Sequence, residues 1–166
     1  MIKYLKAFFY PAFLTYSYNL PKELVIARVG EVLQKKVTFF GTNDMTGYFL
    51  NGDTFAVNVV PAASTTGVRF GSTLVGEIIE SQKGSTKIKT KVKPGIELYC
   101  IFFLTIVFGL ACLYQFIKIG SVSILFWSLA MLIIGPALSI GLSNVAIASV
   151  RERYRMYIDK ELKAIN

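Results

Sequence analysis

Acid–base or metal chemistry built on imidazole is closed to this chain, because its 166 residues include no histidine. The two cysteines, Cys100 and Cys112, fall in one apolar run. On a helix that separation amounts to roughly 18 Å, beyond what a disulfide tolerates. Neither cysteine has a partner at ligand spacing, so a zinc, haem or iron–sulfur centre is not expected, and no cofactor is called for. The carboxylate pairs Asp44/Asp53 and Glu77/Glu80 fall in turns or on strands with no matching base. Thr42-Asn43-Asp44 and Asn51-Gly52-Asp53 are turn-forming sequences in their own right. With no phosphate loop and no nucleophile elbow, the sequence points away from an enzyme.

The chemistry that remains is cationic. The net charge is +8, and much of the excess flanks an apolar region. Lys87, Lys89, Lys91 and Lys93 alternate with Ile88, Thr90 and Val92 before it, and Arg151, Arg153 and Arg155 follow it. Alternation places the lysines on one strand face, where they are expected to meet membrane headgroups together with the arginines. A solvated edge strand whose lysines discourage pairing would read the same way. Membrane lipid accounts for the basic excess better than nucleic acid does.

Between those charges, residues 98–117 and 119–150 carry no charged side chain, and Lys118 stands alone between the runs. About 20 apolar residues cross a hydrocarbon core roughly 30 Å thick, so two membrane spans are expected, near 97–117 and 122–148. Lysines and arginines near span ends stay cytoplasmic, which puts both termini inside and a short turn outside, in a bacterial inner membrane. Gly135, Ala137, Ser139, Gly141 and Ser143, with Pro136 among them and Gly109 in the first span, are small residues suited to close helix packing. They are expected to close the hairpin itself, with a second membrane protein or another copy of the chain as the further use. The opening residues, MIKYLKAFFYPAFL, resemble a signal peptide in charge but lack a cleavage site, so an ordinary strand or interfacial segment is expected.

The elements that position these residues follow from periodicity. Strict alternation predicts a strand over 13–20, and apolar residues at helical spacing predict a helix over 21–36. Short strands are predicted at 37–40, 47–50, 54–60, 72–80 and 87–93, the second and third joined by an Asn-Gly hairpin turn. The strand at 72–80 has apolar residues on both sides and is expected to be covered on both faces. Residues 151–165 carry the stripe Tyr154, Ile158, Leu162 and Ile165 and are expected to dock back on the domain, with a position on the membrane surface as the alternative. The fold class expected is α+β: a small antiparallel sheet with one packed helix (1–95), a transmembrane hairpin (96–150) and an amphipathic C-terminal helix (151–166).

This order, with the run GSTLVGEIIES…GSTKIKTKVKPG, resembles the helix-grip (START-like) superfamily and is similar to small two-pass bacterial membrane proteins carrying such a domain. The resemblance implies a lipid- or small-molecule-binding fold closed by a long C-terminal helix. In this chain a membrane span occupies that place, so the hairpin is expected to supply part of the closing helix and to form one rigid unit with the domain. The function expected is that of a non-enzymatic accessory or binding module for another membrane protein. A module for lipid or another hydrophobic ligand, or immunity against a membrane-active toxin, are the alternatives.

Overall fold

A computed structural model of the chain describes residues 2–34, 45–59, 72–81 and 84–165. The strand expected at 37–40 and the turn expected at 42–44 lie outside the described residues. The elements run α1 (Ile2–Phe9), β1 (Leu14–Tyr18), α2 (Lys22–Gln34), β2 (Met45–Asn51), β3 (Thr54–Val59), β4 (Thr73–Ser81), β5 (Ser85–Lys93), α3 (Ile96–Ile119) and α4 (Val122–Tyr154). One π-helical turn (Arg155–Asp159) then leads into α5 (Lys160–Ile165).

The strands form one antiparallel sheet in the order β1-β5-β4-β3-β2, so β1 and β2 are its edges. The lysine strand β5 is therefore interior, paired with β1 on one side and β4 on the other. This overturns its reading as an edge strand. Alternation sorts the two faces as expected for β5: Thr86, Ile88, Thr90 and Val92 are buried, whereas Lys87, Lys89 and Lys93 are exposed. In β4 only one face is fully buried, through Leu74, Gly76 and Ile78; Val75 and Ile79 are half-buried and Glu77 is exposed. The apolar residues on its second side thus do not mark a strand covered on both faces.

The inner face is covered first by α2, whose Val25, Val29, Val32 and Leu33 recur at helical spacing and are all buried. Lys22, at the start of that helix, pairs with Asp53 at 2.6 Å and ties it to the turn between β2 and β3. The second cover comes from the far end of the chain. Ile147, Val150, Tyr154, Ile158 and Leu162 belong to the same core as Tyr18, Val25, Phe55, Leu74, Ile78 and Ile88. Phe55 lies across Gly76, where a Cβ would collide with its ring.

Two helices are long and apolar enough to cross a membrane: Ile96–Ile119, and the continuous helical stretch Val122–Ile165. Gly120 ends α3 in the left-handed conformation at φ 73°, its N–H bonding the Phe116 carbonyl, and Ser121 opens α4 at once. The resulting turn is short enough to hold the helices antiparallel. At the other end α1 is helical, where a strand or interfacial segment was expected. Its Phe8 is buried against Leu98 and Phe102 of α3, and the Tyr99 hydroxyl donates to the Phe8 carbonyl at 3.0 Å.

Candidate functional site

The helix that closes the sheet core is the continuation of α4. Its alignment with β1 can be followed contact by contact. Arg151 donates to the Ala12 carbonyl at 3.3 Å, the Tyr16 and Tyr154 rings lie 4.9 Å apart, and the Tyr18 hydroxyl donates to Asp159 Oδ1 at 2.8 Å. Successive residues of the strand therefore meet successive turns of the helix, and the two run side by side in the same direction. Antiparallel β5 runs the opposite way and enters α3 through Pro94-Gly95.

That direction orders the lysines. Lys93 stands nearest the apolar hairpin and Lys87 farthest, about 20 Å along the strand at roughly 3.3 Å per residue. Lys91 is half-buried with its ammonium 5.0 Å from the Phe13 ring centre. Across from Lys89 on β4 is Glu77, but no ion pair joins them. Lys87, Lys89 and Lys93 have no carboxylate partner among the described residues. Thr15 and Ser17, both exposed, flank the row on β1.

The arginines lie elsewhere. Arg151, Arg153 and Arg155 sit on the helix that covers the inner face, on the other side of the sheet from the lysines. Arg151 is held by its bond to Ala12, and Arg155 is exposed. The seven cations do not form one surface.

The small residues of α4 also divide. Thr105 occupies the space that a Cβ on Gly135 would need, at 2.5 Å, and Leu132 does the same at Gly109, at 2.7 Å. Ser139 and Ser143 are buried. These four positions close the hairpin. Ser128, which the sequence did not single out, joins them: its buried hydroxyl donates to the Gly109 carbonyl at 2.8 Å. Ala137 and Gly141 face outward, and nothing lies within 4 Å of a Cβ built at Gly141. Pro136 is half-buried inside the helix.

A polar cluster at the end of the core also escaped the sequence. Asp159 is buried beside Ile158, its Oδ1 accepting from Tyr18 and its Oδ2 pairing with Lys163 at 2.8 Å. Both residues belong to the π-helical turn Arg155–Asp159. Burial raises the pKa of Tyr18 above the ordinary tyrosine value, with Tyr154 and Asp159 adding to it; burial also raises that of Tyr154. The Tyr154 hydroxyl is fully buried beside Tyr18 and makes no hydrogen bond of good geometry among the described residues. A lone carboxylate beside the stripe Tyr154/Ile158/Leu162 was the available signal, but regular helical spacing puts it off the stripe.

Three outer surfaces of the described residues are open to a ligand. One is a shallow groove on α1 lined by Leu5, Lys6, Phe9 and Tyr10. Another is the lysine face, and a third is the outward side of α4. No family model matches the chain, and neither a curated protein nor a solved structure matches it.

Proposed function

We propose that the chain is a two-pass protein of a bacterial inner membrane with both termini cytoplasmic. Its α+β unit serves, without catalysis, as a binding module for another membrane protein. The observation that carries this reading is the continuity of α4. Its first part is apolar and of hydrocarbon length, and its last part is buried in the sheet core. Both long helices leave most of their apolar surface outside the fold, which supports lipid-facing spans over core helices. Phe103, Leu104, Val107, Phe108, Phe126 and Ile133 all present apolar surface outward, as lipid-facing positions do.

The orientation rests on Lys93 and Arg151 flanking the hairpin at its domain end, with Lys118 alone at the turn. The outward Ala137/Gly141 face would admit a helix of a partner or of a second copy at close range. Recognition is assigned to the outer surfaces, where Ala137 and Gly141 of α4 and Lys87, Lys89 and Lys93 of β5 stand exposed.

Cysteine labelling in spheroplasts tests the topology, on a background with Cys100 and Cys112 replaced by alanine. Ser123→Cys in the turn should react with an impermeant maleimide from outside, and Lys160→Cys only after lysis. Labelling of both from the same side defeats the reading. A photo-crosslinker at Leu142 should then capture a discrete protein, and capture of lipid alone removes the partner.

A further inference from the structure

If α4 crosses the bilayer near its normal, the closing helix continues along that direction, and β1 keeps pace with it through Ala12–Arg151, Tyr16–Tyr154 and Tyr18–Asp159. The sheet then stands upright on the membrane, and its outer face looks sideways along the membrane plane. The lysine row is consequently a ladder that climbs away from the headgroups. From Lys93 to Lys89 is about 13 Å, and to Lys87 about 20 Å. Screening at physiological salt extends roughly 8 Å. An anionic lipid surface therefore accounts for Lys93, and for Lys91 beside Phe13, but not for Lys89 and Lys87. Those two are exposed and carry no carboxylate partner among the described residues.

We infer that this upright face docks an acidic polypeptide segment carried by a neighbouring protein of the same membrane. Alternate lysines on a strand stand about 6.7 Å apart, the spacing of alternate carboxylates on an extended chain. Exposed Thr15 and Ser17 on β1 and half-buried Val75 and Ile79 on β4 give the flanks hydroxyl and apolar contacts that a peptide can use. A single-stranded nucleic acid carries the same charge but needs aromatic rings on which to stack its bases, and the strand neighbours of Lys87 and Lys89 are Ser17, Ile79, Thr15 and Glu77 instead. The inference rests on the membrane reading above, and supplies the chemistry of the partner.

The test uses the full chain in nanodiscs of zwitterionic phosphatidylcholine and a fluorescent synthetic peptide of alternating glutamate and threonine. Anisotropy should show binding that weakens with salt. Replacing Lys87→Gln with Lys89→Gln should weaken it roughly five-fold, as the loss of two surface ion pairs implies, whereas Lys6→Gln with Lys160→Gln should leave it within about two-fold. An environment-sensitive dye at Lys93→Cys should report lipid, and the same dye at Lys87→Cys should report water. The inference is overturned by any of four results: no peptide binding, equal loss in the control pair, tighter binding of an oligothymidylate of equal charge, or lipid contact at position 87. Alkaline carbonate extraction separates the two claims. A chain released by carbonate defeats the membrane reading itself, and a retained chain without ladder-dependent binding defeats only the docking inference.

Discussion

Tyr18 and Asp159, 141 residues apart in the chain, are joined by one buried hydrogen bond of 2.8 Å. It fastens the first strand of the sheet to the last turns of the helix that leaves the apolar hairpin. Asp159→Ala strands the Tyr18 hydroxyl in an apolar core and should destabilise the domain by about 1–3 kcal/mol. Asp159→Asn keeps an acceptor and should cost less. Hydrogen exchange of β1 amides in detergent would read both, and equal exchange in wild type and Asp159→Ala would show that the bond contributes nothing.

The same cluster sets a pH response. Tyr18 and Tyr154 are held protonated by burial, above the ordinary tyrosine value near 10. Below pH 10 both folded and unfolded chains keep these protons, so this contribution to stability is constant. Above it the unfolded chain releases protons that the folded chain retains, and stability falls as pH rises. Thermal melts should therefore be level in this respect up to about pH 9.5 and decline beyond. Tyr154→Phe should shallow that decline. It also removes a buried hydroxyl that makes no hydrogen bond of good geometry among the described residues, so at neutral pH it should be neutral or stabilising by about 1 kcal/mol.

Gly76 is fixed by its neighbour Phe55, whose ring fills the place of a side chain on the adjacent strand. Gly76→Val overpacks that contact and should cost about 1–3 kcal/mol by urea denaturation. Pairing it with Phe55→Leu should recover part of the loss, and purely additive effects would argue against a shared space.

Gly135 and Gly141 make opposite predictions from six residues apart. A side chain at 135 meets Thr105, whereas one at 141 meets open space. Gly135→Leu should part the hairpin and lower its melting temperature in detergent, and Gly141→Leu should leave the melting temperature unchanged. If Gly141→Leu instead reduces photo-crosslinking at Leu142, the outward face of α4 is in use.

Most of the sheet could be read from alternation, because each described strand has a face that must meet the core. The observed β1 is Leu14–Tyr18 within the expected 13–20, and β5 is Ser85–Lys93 where 87–93 was expected. Pairing order was not legible. That the lysine strand is interior depends on β1 crossing to its side, a non-local contact that periodicity does not encode. The α1 helix was missed for a similar reason: its eight residues are held by Phe8 on Leu98 and Phe102, across nearly the whole domain. Of the site residues, the lysine face was visible as a pattern, but its direction required knowing which helix runs beside β1. The small residues of α4 were visible as a set, and only three-dimensional packing separates Gly135, Ser139 and Ser143 from Ala137 and Gly141. Asp159 enters the core through a π-helical turn, for which the sequence carries no simple signature.

The continuity of α4 also bears on the order in which the protein can be made. During synthesis the sheet strands emerge first, yet Ile147, Val150, Tyr154, Ile158 and Leu162 come only after both long helices. Until they arrive the inner face of the sheet lacks one of its two covers, and β1 lacks the partner of Tyr18. A ribosome stalled before residue 147 would hold a chain whose sheet core is still open on one side. Completion of the sheet core thus awaits synthesis of both long apolar helices, and the hairpin becomes a checkpoint that the domain passes before it acquires its native stability.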